Sequence, residues 1–270
     1  MSVFVIVAAL AGILIGGLIN VLADDLPYTL HIRRPSYADE TPRPAIAWLG
    51  LTAFLARRRV APDDTKLSWR YPAVEVVTAL LFGFTAAEYG FGAVTLFWLG
   101  VLAILVLITV IDLEHRLILF VVIIPACLYA IIGAALFNRE ISDKIMFRDY
   151  LFGGLLGFGL FFVIYLGGFV FANIASRTRK EEIDEVAFGY GDVMLATLSG
   201  FILGWQALIF ALSITVLAGG VGSLLFIIGR LLIRRKYELF TPLPYGQYIV
   251  FGTIIMLLWR TPVINYLQGF

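Results

Sequence analysis

Cysteine is nearly absent from this 270-residue chain: Cys127 is the single one. One thiol excludes an internal disulfide framework and any zinc site built from several cysteines. Placed in an apolar run, Cys127 reads as a small buried hydrophobe. Charge is scarce too, at 14% of residues, with a net charge of +1. The basic residues that do occur follow a membrane-topology pattern described below, which leaves no patch for nucleic acid. Histidine occurs twice, His31 in a loop and His115 beside Asp112, and neither pairs with a serine or cysteine in a nucleophile arrangement. No Gly-rich nucleotide-binding fingerprint is present either.

Apolar residues are abundant, 61% of the chain. A helix needs about 20 apolar residues to cross about 30 Å of hydrocarbon. Eight runs approach that length, at 3–23, 72–89, 93–111, 118–137, 150–172, 192–203, 207–233 and 245–259. The sixth is short, and Gly204-Trp205 divides it from the seventh. The expected fold is all-α, a polytopic membrane protein with a bundle of about eight transmembrane helices. The first run exceeds the roughly 7 to 15 residues of a secretory signal core, so it reads as a retained helix. Membrane lipid is thus the first implied partner.

Basic residues on alternate connections set the orientation. The connection at 24–71 carries Arg33, Arg34, Arg43, Arg57, Arg58, Arg59, Lys66 and Arg70. Arg116, then Arg177, Arg179 and Lys180, then Arg230, Arg234, Arg235 and Lys236 fall on the same side, making sixteen. Arg139, Lys144, Arg148 and Arg260, four in all, fall on the other. The expectation is a cytoplasmic first loop with both termini outside. That loop has five prolines and a short apolar stretch at 45–55, too short to span but suited to an interfacial helix. The mixed-charge segment 177–185 reads as a solvated connection.

Two carboxylates stand at the ends of apolar runs, Asp112 in Ile111-Asp112-Leu113-Glu114-His115-Arg116 and Asp192 in Gly189-Tyr190-Gly191-Asp192. A carboxylate near hydrocarbon is costly, so function is its default reading. Both fall on the expected cytoplasmic side. Two neighbouring aspartates repel, so one holds a proton while the other stays ionised, and the pair can activate water without a metal. Gly189 and Gly191 would let the backbone bend through positive φ and approach an extended peptide. Structural readings compete with each of these. Asp192 could serve as a helix N-cap; for Asp112, a charge at a helix C-terminus opposes the macrodipole, so a stabilising role is harder to defend. Glu75 suits a pairing role with Arg70 as its partner, and Glu114 and His115 suit the interface. Gly12 with Gly16, and Gly153 with Gly157, have small-xxx-small spacing. That spacing serves helix packing and contacts between copies of the chain equally well, so a homo-oligomer stays open.

The string Gly189-Tyr190-Gly191-Asp192-Val193-Met194-Leu195-Ala196, followed by Gly204-Trp205, resembles the second catalytic motif of the type IV prepilin peptidases, the GxGD intramembrane aspartic proteases. Ile111-Asp112-Leu113-Glu114-His115-Arg116-Leu117-Ile118 resembles the first. Leu18-Ile19-Asn20-Val21-Leu22 with Leu26-Pro27, Ser68-Trp69-Arg70-Tyr71-Pro72-Ala73-Val74-Glu75, and Pro244-Tyr245-Gly246 add further agreement in family order. Departures are visible as well. Two CxxC pairs are common in the family's first cytoplasmic loop, and residues 32–70 have no cysteine. Leu119-Phe120 stands where Pro with Asp or Asn is usual, and Met194 where Lys is common.

The resemblance implies one membrane-embedded peptidase domain over 1–270, with a cytoplasmic loop at 24–71 that lacks the family's cysteine pairs. It implies an aspartic endopeptidase of the cell (inner) membrane that removes the short leader from a prepilin or pseudopilin. Asp112 and Asp192 would be catalytic, with Gly189, Gly191, Glu75 and Arg70 in substrate-binding or supporting roles. Peptide cleavage needs no cofactor or metal; S-adenosylmethionine enters only if the family's N-methylation of the new terminus is retained. Two other classes compete: a proton-coupled transporter, whose paired broken helices in two similar halves are not evident, and a non-catalytic pilus-assembly factor, which would need neither aspartate.

Overall fold

The computed structural model describes residues 2–37, 39, 41–62, 64–141, 145–179, 189–234 and 245–259, with 171–179 and 230–234 as helical backbone alone. The chain divides into two compact units, Met1–Leu117 and Ile118–Phe270. Among the described residues the regular structure is helical, and only two isolated bridges, Ser36 with Pro42 and Val60 with Lys66, add β-type pairing.

The first unit holds α1 (Val3–Asp25), α2 (Gly50–Leu55), α3 (Arg70–Tyr89) and α4 (Ala93–His115). Helices α1 and α3 pack backbone to backbone. A Cβ placed on Gly12 would lie 2.6 Å from the Ala79 Cα, and one on Gly16 would lie 2.6 Å from the Glu75 Cα. The first small-xxx-small pair therefore serves packing within the chain. The apolar stretch at 45–55 is not the single interfacial helix expected of it. It forms a 3-10 turn over Ala45–Ala47, then the six-residue α2, with Leu49 extended between them. The break gives the two leading amides of α2 a buried partner, described below.

The second unit holds α5 (Phe120–Ile141), α6 (Phe147–Arg179), α7 (Tyr190–Leu203), α8 (Trp205–Arg234) and α9 (Gly246–Leu258). Here too glycine brings helices together: a Cβ on Gly157 would sit 2.3 Å from the Ala196 carbonyl oxygen, and one on Gly200 2.1 Å from that of Gly153. Helices α7 and α9 are joined by a buried hydroxyl pair, Thr253 donating to Ser199 at 2.8 Å. On α8, the Thr215 hydroxyl lies 3.1 Å from the Tyr248 carbonyl of α9. The division expected at Gly204-Trp205 is present, because Gly204 has φ 76° and ends α7 before α8 starts at Trp205. Only glycine adopts that conformation without strain.

Each of the eight apolar runs is a helix, and α1, α4, α5, α6 over Phe147–Val170 and α8 over Trp205–Gly229 are long and apolar enough to cross a membrane. Helix α3 has 20 residues and includes Glu75 and Glu88. Helices α7 and α9, with 14 and 13 residues, are shorter apolar elements. At 1.5 Å per residue each rises about 20 Å, less than the hydrocarbon thickness. The chain is an all-α polytopic membrane protein.

Candidate active site

In the first unit, Asp112 lies in the last turn of α4 and is 6% exposed. The helix ends three residues later, at His115. Arg116 takes the left-handed conformation, φ 53° and ψ 39°, while its amide still donates to the Asp112 carbonyl at 2.9 Å. A β-carbon in that region costs about 1–2 kcal/mol, so tertiary contacts must hold this end. Two are present. Glu114 pairs with the Arg70 guanidinium, and the His115 ring meets Tyr28 edge to face at 5.5 Å between centroids.

Arg70 does not pair with Glu75, contrary to the sequence expectation. Five residues apart on one helix, their side chains diverge by about 140°, whereas partners three or four apart share a face. Arg70 instead bridges two carboxylates, Asp24 at 2.6 Å from one terminal nitrogen and Glu114 at the other. The Tyr71 hydroxyl also donates to Asp24, at 2.8 Å. Glu75 is fully buried and turns the other way, its two oxygens accepting the Gly50 amide at 2.5 Å and the Leu51 amide at 2.7 Å. It anchors α2 to α3. Of the four residues given supporting roles, these two therefore serve different structures.

The loop between α1 and α3 is held by groups that sequence reasoning passed over. Arg43, 6% exposed, stacks on Tyr71 at 4.4 Å and Tyr37 at 5.8 Å and donates to the Ser36 carbonyl at 2.8 Å. Asp25 accepts from the Arg33 amide at 2.6 Å and from its Nε at 3.1 Å. Asn20 donates to the Tyr71 carbonyl at 3.0 Å. The available signal was the spacing Asn20, Asp24 at the end of an apolar run, which puts two polar groups on one helix face. In the sequence Arg43 reads only as a topology charge. These contacts order a loop that has no cysteine.

In the second unit, Gly189 is the N-cap of α7 and Asp192 the third helical residue. Asp192 is thus not itself the N-cap. It accepts the Gly189 amide at 3.2 Å, and its own amide donates to the Gly189 carbonyl at 3.1 Å. A carboxylate in the first turn also faces the positive end of the helix dipole. The glycines do not act through positive φ: Gly189 has φ −80°, and the positive-φ glycines among the described residues are Gly90 and Gly204. Gly191 is required by contact, since a Cβ there would lie 2.8 Å from the Ile118 Cβ. Tyr190 packs between Phe120 and Tyr165, centroids 6.0 and 5.9 Å away. Tyr245, at the start of α9, lies within electrostatic reach of Asp192. Pro244 of the same motif, Lys144, Arg260, Lys180, Arg235, Lys236 and the charged segment 181–185 lie outside the described residues.

Fold and site together define an all-α membrane protein with a carboxylate in the last turn of one helix and another in the first turn of a second. Residues 99–224 match the model of the type IV leader peptidase family. A prepilin leader peptidase/N-methyltransferase of Pseudomonas aeruginosa is 29% identical over 98% of this chain and 94% of its own length. The protein of that name from Stutzerimonas stutzeri is 27% identical with the same coverage, and that from Aeromonas hydrophila 31% identical over 92% of this chain and 79% of its own. No solved structure matches. The chain belongs to the type IV leader peptidase family and is a membrane-embedded peptidase.

Proposed function

We propose that this peptidase removes the short leader from type IV prepilin-like proteins at the cytoplasmic face of the inner membrane, with Asp112 and Asp192 as its catalytic pair. The observation that carries this reading is the match to named prepilin leader peptidases along almost the whole chain, with each aspartate set in a helix terminus within a motif that resembles the family's. The chemistry balances with two carboxyl groups. The ionised one takes a proton from water as the water oxygen bonds to the scissile carbonyl carbon. The protonated one delivers its proton to the leaving nitrogen as the C–N bond breaks.

The relatives' shared name also supports N-methylation as a second activity, for which the family resemblance implies the new N-terminus as acceptor and S-adenosylmethionine as donor. The first unit has a cleft of about 510 Å³ lined by Asp24, Asp25, Tyr37, Arg43 and Tyr71 among others. Its lining does not fit a cationic sulfonium: Asp24 is engaged by Arg70 and Tyr71, Asp25 by Arg33, and Tyr71 carries both Arg43 and Arg70 on its ring.

The test is incubation of the purified protein with a prepilin-like substrate, scored by mass for leader loss and for an added methyl group. Asp112→Asn and Asp192→Asn should each abolish cleavage with helix content intact, and the double variant should be no worse than either, as for groups that act as a unit. Substantial cleavage by either single variant refutes the pair.

A further inference from the structure

We propose that Arg70 is a positioning residue for the leader-cleavage reaction, clamping the last turn of α4, and with it Asp112, against the end of α1. This rests on the peptidase reading above. One planar guanidinium holds carboxylates from two helix ends, Asp24 in the last turn of α1 and Glu114 in the last turn of α4, while Arg70 itself opens α3. Three helix ends are therefore tied at one group. The Arg70 side chain is 13% exposed, against 36% and 34% for its partners, so the guanidinium lies beneath carboxylates that reach the surface. Its guanidinium lies over Tyr71, the central carbon 4.3 Å from the ring centroid.

Two features make this a device for aiming Asp112 rather than a binding group. Both terminal nitrogens already bond protein carboxylates and the side chain is 13% exposed, so little of the guanidinium is open to a substrate. Glu114 is two residues from Asp112 in a turn that ends on a left-handed arginine and whose charges oppose the helix dipole. Without the clamp that turn loses the guanidinium that offsets the Glu114 charge. Lysine keeps the charge but cannot hold two carboxylates in one plane.

The test compares Arg70→Lys, Arg70→Gln and Glu114→Gln with the unaltered full-length chain in detergent. Leader cleavage should show KM within about twofold and kcat reduced by about 10- to 100-fold, the cost of a displaced catalytic group. Arg70→Gln combined with Glu114→Gln should be no worse than either alone. Backbone amide exchange over 112–116 should quicken in each variant by more than over the interior of α4, a readout that needs no substrate. An unchanged kcat, a rise in KM with kcat preserved, or unaltered exchange over 112–116 overturns the proposal. If the unaltered protein cleaves no leader, the peptidase reading falls, and the exchange result alone decides whether Arg70 clamps this turn.

Discussion

Glu75 has no exposed surface and two backbone amides bonded to its oxygens, so its contribution can be read from what its loss would strand. In Glu75→Ala the Gly50 and Leu51 amides lose their acceptor. Each orphaned buried donor costs about 1–3 kcal/mol. Glu75→Gln keeps one acceptor and turns an amino group toward the other N–H, so it should lose about half as much. Thermal unfolding, with limited proteolysis of the 26–69 loop, is the measurement. The loop should be cut faster in Glu75→Ala than in Glu75→Gln, and equal cutting of both and of the unaltered protein would show that α2 is held by other contacts.

Close helix contact depends on missing side chains as much as on those present. The α6–α7 seam is made where Gly153, Gly157 and Gly200 face backbone, and a methyl group at Gly157 or Gly200 would enter a carbonyl oxygen. Gly159, two residues along α6, meets nothing within 4 Å. Alanine at Gly157 or Gly200 should therefore lower thermal stability and yield. Alanine at Gly159 should be neutral or stabilising by up to about 1 kcal/mol, the helix-propensity gain. A stable Gly200→Ala protein would mean that the seam can open without loss. The seam carries α7, whose first turn bears Asp192, so its position bears on the chemistry as well as on stability.

Orientation of the whole molecule decides whether a cytoplasmic leader can reach the two aspartates. The sixteen-to-four division of basic residues predicts a cytoplasmic loop at 24–71. Single cysteines at Thr65 and Asn138, in a Cys127→Ala background, report opposite sides. Thr65→Cys should react with an impermeant thiol reagent only after the membrane is opened, and Asn138→Cys in intact cells. Reaction of Thr65→Cys from outside would place the loop in the wrong compartment for prepilin processing.

Apolar length alone determined the helices. Each of the eight long apolar runs is helical, whereas the short 45–55 stretch, expected as one helix, is broken at Leu49; Gly204 separates α7 from α8 where the sequence placed the break, because a long apolar run and a positive-φ glycine leave few alternatives. The two aspartate motifs were legible for the same reason, since charge beside an apolar run is conspicuous. Partner choice was not. Nearness in sequence suggested Arg70 with Glu75, while helical geometry turned them apart and brought Asp24 and Glu114 to Arg70 from 46 and 44 residues away. The role of the motif glycines was likewise a tertiary matter: Gly191 is small because Ile118 lies against it, which no local rule contains. Local physics sets which segments are helical and where they stop; which side chains meet depends on how the helices are turned about their axes, and only packing fixes that angle.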